Sequence, residues 1–319
     1  FLHLNTNKRG ITLNLKSETG QAIFRELLRD ADILVESFSP RVMPSWGLDY
    51  ESLEKINPRL VVASISNFGQ TGPYRDFKSS DLITYAMGGP MFSTGLPDRP
   101  PIRLGPYVNL YQAGATAAAA IMTSFFSAEA SGRGEHLDIS LMEAEMSNID
   151  RRPTMLLQYQ YTGHISQRVP TGERFASGTS PCKDGYVELR GEYPHFPKMA
   201  AMLNMPELLE RPDFSDAMGQ TKPDVIEAFK EILIPWTIER NKRDVWRMAQ
   251  ENRLISSIIA TTEDLVTDPH FEARGTFVEI EHPVAGRLTY PGAPINEEIY
   301  GTIGYSGTDL VQLREQGVI

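Results

Sequence analysis

The chain has 319 residues, 41% of them hydrophobic, and a formal net charge of −10 at neutral pH. That length buries a large core and suits one sizeable α/β domain with a smaller companion, while the acidity argues against nucleic acid as the main partner and leaves a small molecule or a protein. The one cysteine, Cys182, permits neither an internal disulfide nor a thiolate metal cage, so a reducing, cytoplasmic setting is expected.

Residues 10–15 alternate as a strand does, and Ser17 is placed to cap a helix running to about Ala31, with Ala22, Ile23, Leu27 and Leu28 on its apolar face. Residues 32–35 read as a buried strand. A short helix follows Pro40, another starts near Asp49, and Asn57-Pro-Arg59 breaks the chain before a third strand at 60–65. Strand, helix and strand at this spacing predict parallel pairing with right-handed crossovers, a doubly wound α/β sheet. Ligands of such sheets lie beyond the carboxyl ends of the strands, which makes Glu36–Pro40 and Ser66–Pro73 the loops predicted to meet one.

Arg103–Gly114 reads as a turn leading into the small-residue run 113–120, whose Gly and Ala let backbones approach closely, and a pocket is expected at that turn, around Leu110. The mostly apolar stretch 113–126 is shorter than the roughly 18 residues of a membrane span and is interrupted by Thr116, Thr123 and Ser124, so no membrane partner is expected. No basic segment followed by an apolar one marks a signal peptide.

Residues 136–141 are predicted as a strand and 142–161 as a long helix with a break at Pro153. The stretches 170–174 and 177–181 are loop-like, and a strand at 185–190 opens a second region with helices at 195–203, 224–234 and 242–252. Strands at 276–280 and 286–290 lead back, giving a large domain 1–181, a small mixed domain 182–268 and a return to the large one over 269–319. Glu143 and Glu145, two apart, fall on different helix faces as surface or packing acids. The six histidines show no ligand spacing such as His-x-x-x-His, so no metal is expected, and Cys182 is read as structural.

Several spaced segments, in order, carry a family resemblance: Asn5-Thr-Asn-Lys-Arg-Gly-Ile-Thr-Leu-Asn-Leu15, Asp32-Ile-Leu-Val-Glu-Ser-Phe38, Asn57-Pro-Arg-Leu-Val61, Gly69-Gln-Thr-Gly-Pro-Tyr74 and Gly132-Arg-Gly-Glu-His-Leu-Asp-Ile-Ser-Leu141. With them the chain resembles the family III CoA-transferases, the group of formyl-CoA transferase and the carnitine-pathway CoA-transferase and, more distantly, α-methylacyl-CoA racemase. The resemblance implies two chains threaded as interlocked rings, CoA or acyl-CoA bound as substrate at the parallel-sheet domain, and no permanently bound cofactor. It also implies covalent catalysis: an Asp carboxylate attacks the acyl-CoA thioester, giving a mixed anhydride and then an enzyme thioester, from which CoA passes to the acceptor acid. Family members open with a strand and loop that help hold CoA, and Phe1 falls after that point.

The resemblance places the catalytic Asp four residues before the glycine matching Gly114, which is Leu110. Leucine has no lone pair to attack a thioester and no proton to move, so no catalytic residue is expected in this chain. The racemase branch carries a His before the acid matching Asp81, and Ser80 stands there instead. Asp81 and Asn109 are the polar candidates for contacting the acyl substrate. For CoA, Lys8, Arg9, Arg41, Arg75 and Lys78 are the cations expected at its phosphates, and Leu13, Phe38 and Trp46 the apolar walls for its adenine. The favoured expectation is the non-catalytic chain of a hetero-oligomeric CoA-transferase, a heterodimer whose second, homologous chain carries the Asp. The alternatives are a CoA-thioester lyase or isomerase of the same fold using Asp81 or Asn109, and an inactive CoA-binding protein.

Overall fold

The computed structural model describes residues 2–6, 8–146, 152–168 and 174–292, and within it Ser17 starts the first helix as its position suggests: Oγ accepts from Gly20 N at 3.1 Å, and α1 spans Glu18–Leu28. The helix stops short of Ala31 for a visible reason. Asn57 Nδ2 donates to the carbonyls of Leu28 and Ala31 at 3.0 and 2.7 Å, capturing acceptors that a continued helix would use. The chain then runs through β1 (Ile33–Glu36), α2 (Val42–Ser45), α3 (Tyr50–Glu54, capped by Asp49 through Ser52 N), β2 (Val61–Ser66) and α4 (Asp81–Met87). After these come α5 (Val108–Ser131), β3 (His136–Ser140), α6 (Leu141–Met146) and α7 (Arg152–Thr162). The helix expected over 142–161 with a break at Pro153 is α6 and α7, with Pro153 in the first turn of α7 and residues 147–151 outside the described residues.

Strands β1, β2 and β3 form a parallel sheet in that order, with Ile33 opposite Val61 and Val62 opposite His136. The strand expected at 10–15 does not form: it makes no ladder with any described strand, and Ile11 is 73% exposed, so no buried face rewards its pairing. Strand β2 is buried on both faces, as suits a parallel sheet. One face packs Val62 against Leu28, Met43, Leu48, Leu53 and Leu60. The other sets Ala63 and Ile139 against Ala117 and Ile121 of α5. The buried positions Asn109, Ala113, Ala117 and Ile121 recur every four residues, one helical face, and the small Ala117 lets α5 lie close to the sheet.

Two glycines then turn the chain into β3. Gly132 takes a left-handed φ of 73° and donates to Ala128 O at 2.8 Å, closing α5. Gly134 donates to Pro58 O at 2.8 Å, and a Cβ added there would overlap the Leu60 carbonyl.

The chain divides into two compact units, Arg9–Gly172 and, together with Phe1–Lys8, Glu173–Ile319. The second unit contains β4 (Ser177–Cys182), β5 (Gly185–Arg190), α8 (Phe196–Leu203), α9 (Pro212–Ser215), α10 (Pro223–Ile238), α11 (Lys242–Glu251) and β6 (Ile255–Ile258), followed by α12 (Thr262–Val266), α13 (Pro269–Ala273), β7 (Phe277–His282) and β8 (Gly286–Pro291). Its main sheet is antiparallel in the order β4-β5-β6, and β7 pairs with β8 in a hairpin. Residues 177–181, loop-like in sequence, are strand: as the edge of this sheet β4 tolerates Gly178 and Pro181 while pairing with β5. That pairing is why the division falls before Glu173, ahead of the 181/182 limit expected from sequence.

Phe175, Phe196, Phe214 and Phe229 meet at the centre of the second unit with ring centroids 4.7 to 5.9 Å apart. Cys182 is buried against this core, and burial, with Asp184 nearby, pushes its thiol up to about 11. It is therefore an inert thiol at neutral pH. No helix among the described residues is long and apolar enough to cross a membrane.

Gly134→Ala forces the Leu60–Gly134 backbones apart beside β2, and should lower stability by about 2–4 kcal/mol in urea unfolding, with Gly114→Ala, where an added Cβ meets nothing, within about 1 kcal/mol of wild type or above it.

Candidate functional site

Beyond the carboxyl ends of the three parallel strands lies a cleft of about 740 Å³. Ser37–Arg41 follow β1, Ile65 and Ser66 end β2 with Asn67 after them, Leu141 follows β3, and Arg75–Ser79 and Leu110 contribute to the wall. Both loops singled out in sequence border it. Glu36, buried at the end of β1, accepts from Phe38 N at 2.8 Å and bends the first loop so that Phe38 faces the cleft. The Phe38 ring is edge-on to Trp46 at 5.4 Å.

Leu110 belongs to the first turn of α5 itself, since the helix starts at Val108 rather than near Ala113. Behind it Asn109, only 2% exposed, ties α4 to the first turn of α5. Its Nδ2 donates to Asp81 O and to Thr84 Oγ1, both at 3.0 Å, and its Oδ1 accepts from Leu110 N at 2.9 Å. Asp81 Oδ2 in turn accepts from Arg103 Nη1 at 3.1 Å and from Tyr107 N at 3.4 Å, supporting the left-handed φ of 67° at Tyr107 that aims the chain into α5. Asp81 Oδ1 accepts no hydrogen bond from a described residue. The Asn109 carboxamide is thus engaged in holding the turn that presents Leu110, a residue 39% exposed on the cleft wall.

Across the cleft Asp76 joins two arginines. Arg41 Nε and Nη2 donate to its two oxygens at 2.8 and 2.5 Å, and Arg75 Nε and Nη2 donate to the same oxygens at 3.3 and 3.0 Å. Hydrogen bonds from Arg41 first and Arg75 second hold the Asp76 carboxyl far below the usual carboxylate range, so it stays ionised. Lys78, exposed, lines the same wall.

The structure therefore brings Phe38, Arg41, Arg75, Lys78 and Leu110 together around one cleft, with Trp46 behind Phe38 and Asp81 and Asn109 behind Leu110. It does not place Lys8, Arg9 or Leu13 on that wall. Lys8 lies in the second unit with its Nζ donating to Leu4 O at 2.7 Å and Asn5 Oδ1 at 3.3 Å, Arg9 is exposed, and Leu13 is half-buried. Asp76 is the residue that sequence reasoning missed. Its adjacency to Arg75 was visible, but its pairing with Arg41, 35 positions away, needed the fold. Glu143 is exposed and Glu145 is buried in α6, against Gly88. Among the described residues no cluster of His, Cys, Asp and Glu is arranged to hold a metal.

The family model for CoA-transferase family III matches residues 1–299. The chain belongs to this family. Its relatives include the succinyl-CoA–D-citramalate CoA-transferase of Chloroflexus aurantiacus, 32% identical over 89% of this chain and 71% of that one. The formyl-CoA:oxalate CoA-transferase of Streptomyces coelicolor is 28% identical over 100% of this chain and 86% of its own. Among solved structures, a CAIB/BAIF family protein from Brucella suis superposes with a TM-score of 0.76 at 27% identity, covering 93% of this chain and 80% of that one. The mixed α/β architecture, one parallel sheet with smaller antiparallel ones, is that of this CoA-transferase family.

Asn109→Ala removes the donor to the buried Thr84 Oγ1 and to the Asp81 carbonyl and the acceptor of the Leu110 amide, and should cost about 2 kcal/mol in thermal or urea unfolding.

Proposed function

We propose that this chain is the non-catalytic subunit of a CoA-transferase that moves CoA between two carboxylic acids, and that a second, homologous chain supplies the nucleophilic Asp. The observation that carries the reading is Leu110, at the start of α5 on the wall of the cleft, where the family resemblance expects that Asp. The described cleft lining offers one carboxylate, Asp76, and both its oxygens are held by arginines. A carboxylate clamped in this way is a poor nucleophile, because attack requires giving up the charge-assisted bonds.

In the proposed reaction the partner's carboxylate attacks the thioester carbonyl, the C–S bond breaks, and CoA leaves as thiolate. The thiolate attacks the partner's acyl carbon, releasing the donor acid and leaving an enzyme thioester. The acceptor carboxylate attacks that thioester, expelling CoA thiolate again, and the thiolate then takes the acceptor's acyl carbon and frees the partner's Asp. This chain contributes its own cleft, in which Phe38, Arg41, Arg75 and Lys78 are suited to an aromatic, polyanionic ligand such as CoA. CoA enters as substrate, with no permanently bound cofactor in the reading. The relatives named above are a succinyl-CoA–D-citramalate and a formyl-CoA:oxalate CoA-transferase, which supports short carboxylic acids and their CoA thioesters as the substrate class of this reading. The reading includes a doubly wound, interlocked pair of chains in the cytoplasm, a setting that the lone thiol of Cys182 suits.

Native mass spectrometry of the complex from its own host, with transferase assays on the complex and on this chain alone, tests the reading. The complex should contain a homologous chain, and the chain alone should transfer CoA more than about a thousandfold more slowly. Transfer by the pure chain at the rate of the complex would overturn it. Leu110→Asp in the lone chain is the gain-of-function arm. At a 39% exposed position, in a helix with no acid in its first turn, Asp should change stability by less than about 1 kcal/mol and raise lone-chain transfer.

A further inference from the structure

Arg41 and Arg75 reach the cleft from different loops and carry long side chains that packing does not hold: side-chain exposure is 73% for Arg41 and 36% for Arg75. Two guanidinium groups at one spot repel each other, and each loses rotamer freedom when a ligand orders it. Asp76 answers both problems. Its two oxygens take the Nε–Nη2 edge of each guanidinium, so one carboxylate orders both side chains and cancels one of their two charges. A guanidinium has five N–H groups, and these bonds engage the Nε–Nη2 edge only. The Nη1 groups, with the second N–H of each Nη2, form a second edge that suits a phosphate.

The surroundings indicate which phosphate. Arg41 lies three residues after Phe38 in the loop that follows β1, and both line the same wall. An adenine against an aromatic wall brings its ribose, and therefore a 3′-phosphate, beside that loop.

We propose that Asp76 is a positioning residue, a built-in counter-ion that sets Arg41 and Arg75 side by side to grip the 3′-phosphate of CoA. The inference rests on the CoA reading above and adds to it a residue and a ligand group. With Asp76 ionised, the Arg–Asp–Arg array carries one net positive charge and faces a phosphate dianion. Surface ion pairs of this kind add little to folding, so the effect of Asp76 belongs in ligand discrimination.

The test compares binding of CoA and 3′-dephospho-CoA to the full chain by calorimetry, for wild type, Asp76→Asn and Arg41→Gln, with melting temperatures recorded alongside. Wild type should bind CoA at least about tenfold more tightly than dephospho-CoA. Both variants should cut that ratio to about threefold or less through weaker CoA binding, with dephospho-CoA affinity and melting temperature essentially unchanged. A general structural defect would instead weaken both ligands together and leave the ratio in place, which overturns the proposal. An Asp76→Asn variant that binds CoA more tightly also overturns it, since Asp76 would then be a competing anion. Wild type binding the two ligands equally removes the phosphate grip while leaving the CoA reading intact; wild type binding neither sinks both.

Discussion

The close seating of α5 on the parallel sheet is the constraint on which the first unit depends. Ala63 in β2 and Ala117 in α5 are 0% and 2% exposed and meet with no bulk between them, while Ile121 and Ile139 fill the space beside them. A larger side chain at either alanine would lift the helix from the sheet, and packed interiors accommodate such additions poorly. Because α5 lies this close, its first turn arrives where β1, β2 and β3 all end, and the loops after those strands converge on it as a cleft. The site is a consequence of sheet geometry and of small residues in one helix.

The first turn of α5 is held by an unusually committed set of polar groups. Asn109 binds Asp81, Thr84 and Leu110, and Asp81 binds Arg103 and Tyr107. The chain thus keeps a firm scaffold around a side chain that has no acid–base or nucleophilic chemistry. A scaffold kept in order around an unreactive residue fits a division of labour between chains, in which this one shapes and holds and its partner reacts. The arginine pair on the opposite wall belongs to the same logic, since binding groups retain their use when the nucleophile resides elsewhere.

Much of the fold was legible in the sequence where local signals and burial agree. Ser17 caps the helix it was expected to cap, the helix expected near Asp49 starts there, β1, β2, β3 and β5 fall within a residue or so of their predicted places, and the loops after β1 and β2 do border the cleft. The misreadings share one cause. Residues 10–15 alternate like a strand but find no ladder partner among the described strands, whereas Ser177-Gly-Thr-Ser-Pro181 looks like a loop and becomes an edge strand because β5 pairs with it. Pairing is a tertiary fact that periodicity cannot report. At the site, Arg41, Arg75 and Leu110 could be named from position and resemblance, but Asp76 could not be connected to Arg41, and the buried commitments of Asn109 were invisible without the helix that brings Thr84 beneath it.

The central claim is that the carboxylate forming the covalent intermediate lies on another chain. Intact-mass spectrometry of the native complex, quenched in acid during turnover of an acyl-CoA, tests this most directly, because an enzyme thioester adds the mass of CoA, less one water, to the chain that carries it. The adduct is expected on the homologous partner, with this chain at its unmodified mass. A CoA adduct on this chain would contradict the account.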